Sequence, residues 1–185
     1  MPAHATLINF DELIQAPCTQ ESCDPTPVDN QYAALGVVFI NAAVYQEAMA
    51  PQIVSPPNAI SDWYGPGMQI HFTGTLPTTV SMYVSAVLQD SIYLTAYGLS
   101  GQIGSATTDG WRGTEETSTP YRDQQLITFS GIGAISQITL DSLFSRRGTL
   151  VIDNLEFSAS VPLPPALGLF ASGLGFLFWR SRSSR

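Results

Sequence analysis

Residues 79–88 read Thr-Val-Ser-Met-Tyr-Val-Ser-Ala-Val-Leu, and this stretch decides the fold class. Val80, Met82, Val84, Ala86 and Leu88 fall on one face of an extended chain, with Ser81, Tyr83, Ser85 and Val87 on the other. A period of two marks a strand half-buried against a core. Gln89-Asp90 then punctuates the run, and Ile92, Leu94 and Ala96 repeat the alternation, which predicts a hairpin. Working outward, strand character recurs at residues 6–10, 36–40, 68–73, 91–97, 126–130, 135–140 and 149–157. Pro and Gly occupy the breaks, at Pro56-Pro57, Gly65-Pro66-Gly67, Gly98, Gly101 and Gly104. No segment of the body sustains a helical period, although residues 42–50 are compatible with a turn or two of helix. Short strands with turns at these intervals predict an all-β body over residues 6–158, an antiparallel jelly-roll-like β-sandwich.

Composition agrees with one folded domain and an appendage. The chain has 185 residues and 44% hydrophobic content, enough for a core and too much for wholesale disorder. Charged residues make up only 12%, about half the usual share. Lys is absent, and three of the seven Arg (Arg180, Arg182, Arg185) lie in the last six positions. The rest of the chain sets four Arg (Arg112, Arg122, Arg146, Arg147) against fifteen acidic residues. A body that acidic repels phosphate backbones, which excludes nucleic acid as a partner.

The C-terminal end, residues 159–185, reads as a separate unit. From Val161 the sequence is VPLPPALGLFASGLGFLFWRSRSSR. The seventeen residues from Leu163 to Trp179 carry no charge. As a helix they would span ~25 Å, a little under the ~30 Å bilayer core, a gap that thinning or snorkelling Arg stems could cover. Leu169, Phe170, Leu174, Phe176, Leu177 and Phe178 supply the apolar anchor, and Trp179 stands where an interfacial aromatic would sit. Arg180, Arg182 and Arg185 would remain cytoplasmic, placing the acidic body outside. The alternative is a buried core helix, which is not expected to end a chain beside an Arg cluster. The sequence thus predicts one C-terminal transmembrane helix.

A Pro-containing motif, one short hydrophobic helix and a terminal Arg cluster together resemble the PEP-CTERM sorting signal. Val161-Pro162-Leu163-Pro164 stands at the signature, with Leu163 where Glu is usual in the name-giving form, and residues 169–174 resemble the usual helix core. The resemblance implies processing near the motif by an exosortase at the inner membrane of a Gram-negative, polysaccharide-producing bacterium. It implies a cell-surface or extracellular-matrix destination. Export needs an N-terminal signal, yet Met1 to Thr6 has neither basic start nor apolar run. Ala3-His4-Ala5 reads like the small-x-small end of such a signal, so residues 1–5 are taken as its remnant or as a disordered N-terminus, with the signal expected upstream. Cys18 and Cys23, a C-x4-C pair in a polar stretch, fit a small disulfide loop in an oxidising compartment.

The order of elements in the body carries a second resemblance, to carbohydrate-binding-module-like jelly rolls. It rests on Ile8-Asn9-Phe10-Asp11-Glu12-Leu13 near the start and Val151-Ile152-Asp153-Asn154-Leu155-Glu156-Phe157 at the close. In a jelly roll the first and last strands lie side by side, which would bring Asp11 and Glu12 near Asp153. Grouped carboxylates suit one structural Ca2+, as similar domains often hold there. The alternative is a set of solvated edge carboxylates, with Asp153-Asn154 shaping a bulge. Trp63, Tyr64 and Trp111 lie in Gly-rich, loop-like surroundings where exposed rings could stack on an extracellular polysaccharide. They could equally serve as core or loop-packing anchors. No G-x-S-x-G, H-E-x-x-H or phosphate-cradling loop is present. Glu115 and Glu116, adjacent on an extended chain, point to opposite faces and make poor paired catalytic acids. The sequence reads as non-enzymatic.

Overall fold

The computed structural model describes residues 5–15, 25–46, 54–63, 67–86, 91–108, 124–142 and 150–159. In chain order the strands are β1 (Thr6–Ile8), β2 (Pro27–Val28), β3 (Val37–Ile40), β4 (Ala42–Gln46), β5 (Asn58–Ser61) and β6 (Met68–Phe72). They continue with β7 (Thr79–Ala86), β8 (Ile92–Gly98), β9 (Gly101–Thr107), β10 (Gln125–Ser130), β11 (Gln137–Ser142) and β12 (Leu150–Ser158). In β7 Val80, Met82 and Val84 are fully buried while Ser81 and Tyr83 are only half-buried, as the alternation predicts, but Ser85 on the second face is buried too.

Among the described residues the strands form two antiparallel sheets. A seven-stranded sheet runs β10-β7-β12-β5-β4-β2, with β1 also paired to β12. A five-stranded sheet runs β3-β6-β11-β8-β9. Val80, Met82, Val84 and Ile152 of the first sheet share one core with Ile70, Leu94, Ile138 and Leu140 of the second. The body is therefore a β-sandwich, with apolar residues turned inward from both sheets. At one end of the core Phe10, Tyr32 and Phe39 meet edge to face, their ring centroids 5.6 to 6.0 Å apart.

Several expectations change. Residues 42–46 are strand β4 rather than a helical turn. Pairing with β2 on one side and β5 on the other satisfies this backbone, and tertiary pairing outweighs the helix preference of Ala42 and Ala43. β7 and β8 do not pair as the hairpin expected across Gln89-Asp90, two residues that lie outside the described ones. β7 lies in the seven-stranded sheet and β8 in the five-stranded one, so the link crosses between sheets. Alternation tells which face of a strand is buried, but not which strand lies beside it. Gly101 and Gly104, read as breaks, belong to β9, which forms a true hairpin with β8. A Cβ on Gly104 would lie 2.9 Å from Ile132 Cδ1, so the missing side chain admits that packing. The tail, residues 161–185, and with it the expected transmembrane helix, lies outside the described residues. Among the described residues no helix is long and apolar enough to cross a membrane.

Candidate functional site

The seven-stranded sheet carries two features, a polar corner at β12 and a cleft beside β4 and β5. Along one edge β12 pairs with β7. Along the other it pairs first with β5, through Val151 and Ile152, and then with β1, through Leu155 to Phe157. The change of partner falls at Asp153 and Asn154, where the register with β7 also shifts and Asn154 adopts φ 49°. This is the bulge anticipated from the Asp-Asn pair.

The first and last strands do lie side by side, and they bring two of the three expected carboxylates together. Beyond β1, Phe10 takes a left-handed φ of 64°, a strained conformation for an aromatic residue, which its buried ring packing holds in place. Asp11 follows. Its Oδ2 accepts from the Ser55 hydroxyl at 2.9 Å and from Asn9 Nδ2 at 2.6 Å. Asp153 Oδ2 accepts from the Ser55 backbone N–H at 2.8 Å, and its Oδ1 from the Asn154 N–H at 2.7 Å. Ser55 therefore bridges the two carboxylates. Asn58, buried at the start of β5, donates through Nδ2 to the carbonyls of Asp11 (3.2 Å) and Leu13 (2.8 Å), pinning the loop after β1. Two acceptors in this corner, Asp11 Oδ1 and Asn58 Oδ1, are buried and have no hydrogen-bond partner.

Glu12 departs from the expected trio. It is exposed and lies by the buried Tyr32 hydroxyl, whose pKa rises well above its ordinary value through burial first and the nearby Glu12 and Asp11 second. The two side chains approach without good hydrogen-bond geometry, since Tyr32 Oη has no partner. No three His, Cys, Asp or Glu among the described residues group as metal ligands. Asn58 and Ser55 take the places that the sequence reading assigned to a third carboxylate. Neither stands out in sequence, because a buried amide beside a Pro-Pro pair reads as an ordinary turn. Burial raises the Asp153 pKa above 3.8; hydrogen bonds from the Ser55, Asn154 and Val54 backbone oppose this, and the Asp11 charge adds to it.

The second feature is a cleft of about 280 Å3 lined by Gln15, Pro25, Val44, Tyr45, Gln46, Ser61 and Trp63. Trp63 follows β5 and is 42% exposed, so its ring is not a core anchor. Tyr45 and Ser61 come from the neighbouring strands β4 and β5. Gln15 ties its wall together by accepting from the Thr26 N–H at 3.2 Å. The volume is near the lower end of small-molecule sites, ~300–1,000 Å3. Tyr64, Trp111, Cys18 and Cys23 lie outside the described residues.

No family model matches the chain, its tail included, and no curated protein matches it in sequence. Among solved structures it is similar to the K1 cleaved adhesin domain of Lys-gingipain from Porphyromonas gingivalis, at TM-score 0.51 and 10% identity, covering 85% of this chain and 99% of that one. The K2 adhesin domain of Lys-gingipain gives TM-score 0.49 at 12% identity, with 84% and 98% covered. A family 35 carbohydrate-binding module from Clostridium thermocellum gives 0.37 at 11% identity, with 67% and 92% covered. At such identities the likeness is one of architecture, and the first of these agrees with the sandwich described above.

The sign of the Asp153 shift sets a pH test. A carboxyl whose folded pKa exceeds its unfolded value binds its proton more tightly when folded, so it stabilises most below pH 3.8 and loses that contribution as pH rises through the folded pKa. In urea unfolding with a chelator present, the stability of wild type relative to Asp153→Asn should therefore grow as pH is lowered from neutral towards 4. A difference that shrinks on acidification would show a carboxylate held charged in the fold.

Proposed function

We propose that this chain is an exported, non-enzymatic protein of the bacterial cell surface or extracellular matrix, whose sandwich binds saccharide at the Trp63–Tyr45 cleft. The observation that carries the reading is the half-exposed indole of Trp63, set in a cleft with Tyr45, Gln15 and Gln46. A pyranose ring offers an apolar C–H face to an aromatic ring and a rim of hydroxyls to amides. The described lining carries no charge, which favours a neutral sugar. A glycosidase would need two carboxyl groups facing each other across a scissile bond. Asp11 and Asp153 instead share Ser55 as a donor, with Asp153 fully buried.

On this reading the tail directs the protein to its place. An exosortase would recognise Val161-Pro162-Leu163-Pro164 while the helix ending at Trp179 sits in the inner membrane, with Arg180, Arg182 and Arg185 on the cytoplasmic side. Support comes from the tail's own residues: seventeen uncharged positions followed by the Arg cluster.

The polar corner fits one structural Ca2+. Asp11 Oδ1 and Asn58 Oδ1 are buried acceptors without donors, and the Asp153 carboxylate lies in the same corner; hard oxygens of this kind suit calcium. When bound, the ion would supply positive charge between two carboxylates that otherwise repel. Asp11, Asn58 and Asp153 would hold it; Glu12 would not.

In isothermal titration against neutral oligosaccharides, Trp63→Ala should weaken binding about tenfold or more, ~1.4 kcal/mol; unchanged affinity would remove the cleft from the reading. Calcium at a hundred times its Kd should stabilise wild type by ~2.7 kcal/mol, read as a higher melting temperature, and leave Asp153→Asn unchanged. Equal shifts in both proteins would place any bound ion elsewhere. Mass spectrometry of the mature C-terminus should show loss of the segment after about Pro164 only in hosts with an exosortase. An intact Arg185 in both hosts would make the tail a plain anchor.

A further inference from the structure

The outer face of the five-stranded sheet plays no part in the cleft or in the polar corner. Its outward positions follow from pairing register. One row across the strands is formed by Tyr97 of β8, Gln137 of β11, His71 of β6 and Val38 of β3, each directly opposite the next. The adjacent row on the same face is Thr95, Thr139, Gln69 and Ile40. Beyond it lie Tyr93 and Asp141, with Tyr93 43% exposed. The intervening residues Ile70, Leu94, Ala96, Ile138 and Leu140 are fully buried, so the whole outward set belongs to one face.

The chemistry of that face is unusual for a sandwich exterior. Away from the β3 edge it consists of amides, hydroxyls, an imidazole and two tyrosine rings, and among its described residues Asp141 is the lone acid and no Lys or Arg occurs. The amides are also ordered in advance: Gln69 Oε1 lies 3.1 Å from Gln137 Nε2, which donates to it, and 3.0 Å from His71 Nε2. Linking three side chains across two strands lowers the entropy lost when a ligand binds them. Neighbouring strands lie ~4.8 Å apart, close to the repeat of an extended pyranose chain. A row running across strands thus offers successive sugar units one polar or aromatic side chain each.

We propose that this face is a second saccharide surface, which takes an extended, neutral polysaccharide laid across β8, β11 and β6. Tyr97 supplies a stacking ring, and Gln137, Gln69 and His71 supply hydrogen bonds to ring hydroxyls. The inference rests on the reading that the sandwich binds saccharide, but not on the Trp63 cleft. The two sites differ in kind: a small cleft fits a single unit or a chain end, whereas a flat row fits the interior of a chain. They also sit on opposite sheets, so one molecule would bridge two polymer chains, as a matrix component must.

The test is affinity electrophoresis of the full chain through gels holding hydroxyethylcellulose, xyloglucan or galactomannan, with alginate as an acidic comparison. Wild type, Trp63→Ala, Gln137→Ala, Tyr97→Ala and the Tyr97→Ala/Gln137→Ala pair are compared. Near-UV circular dichroism confirms that each variant is folded. At least one neutral polymer should retard wild type, Trp63→Ala should keep a measurable part of that retardation, and the paired variant should lose it at least tenfold, with alginate ineffective throughout. Gln137→Ala, which truncates a partly exposed side chain, carries the test if the paired variant does not fold. Retardation abolished by Trp63→Ala and untouched by Gln137→Ala would overturn this surface while leaving the cleft standing. Retardation of wild type by alginate alone, or by no polymer, would overturn both.

Discussion

The nine residues of β12 hydrogen-bond to three other strands, and the rest of the sandwich is arranged around the fact that no single register can serve all three. Leu150, Val151, Ile152 and Leu155 are buried, so the strand cannot slip without moving its apolar side chains out of the core. Where β5 stops and β1 takes over, the backbone needs other partners for its polar groups, because buried N–H groups left unpaired are costly. Asp153 meets that need. Its carboxylate accepts from the Ser55 and Asn154 N–H groups that no strand satisfies. A carboxylate pair, Asp153 buried and Asp11 half-buried, is thus the consequence of closing the sheet with its first and last strands.

The cleft is linked to this corner by the loop that follows β1. Asn58 holds the loop by two backbone carbonyls, and a few residues later Gln15 reaches the Thr26 N–H and lines the cleft. The aromatic side of the cleft comes from Tyr45 of β4 and from Trp63 in the turn after β5. A binding site assembled in this way takes its shape from strand pairing on one wall and from a side-chain latch on the other. That division explains why a residue as unremarkable in sequence as Asn58 is fully buried in the structure.

Low charge with an acidic balance also finds a structural counterpart. Lys is absent from the chain, and the described faces of the sandwich expose hydroxyls, amides and aromatic rings. Surfaces of this composition do not attract polyanions, and they suit contacts in which hydrogen bonding and ring stacking replace ion pairing.

Residue pattern by itself determined the all-β class and eight of the strands, because a strand packed on one core writes its period of two directly into the chain, as Val80, Met82 and Val84 do. It also determined the closeness of Asp11 and Asp153, once a sandwich closed by its terminal strands was assumed. Strands β2, β4, β5 and β9 escaped notice for physical reasons, β4 because Ala42 and Ala43 favour a helical turn. β2 is two residues long, β5 is buried at all four positions and so shows no alternation, and β9 carries glycines that read as breaks. Only the tertiary structure decided that β7 and β8 belong to opposite sheets, that Glu12 turns towards Tyr32, and that Ser55 and Asn58 complete the polar corner. The same holds for the row of Tyr97, Gln137 and His71. Their sequence separations hide a direct neighbourhood that strand register alone creates, since hydrogen-bonded pairing couples residues by position in the sheet and not by distance along the chain.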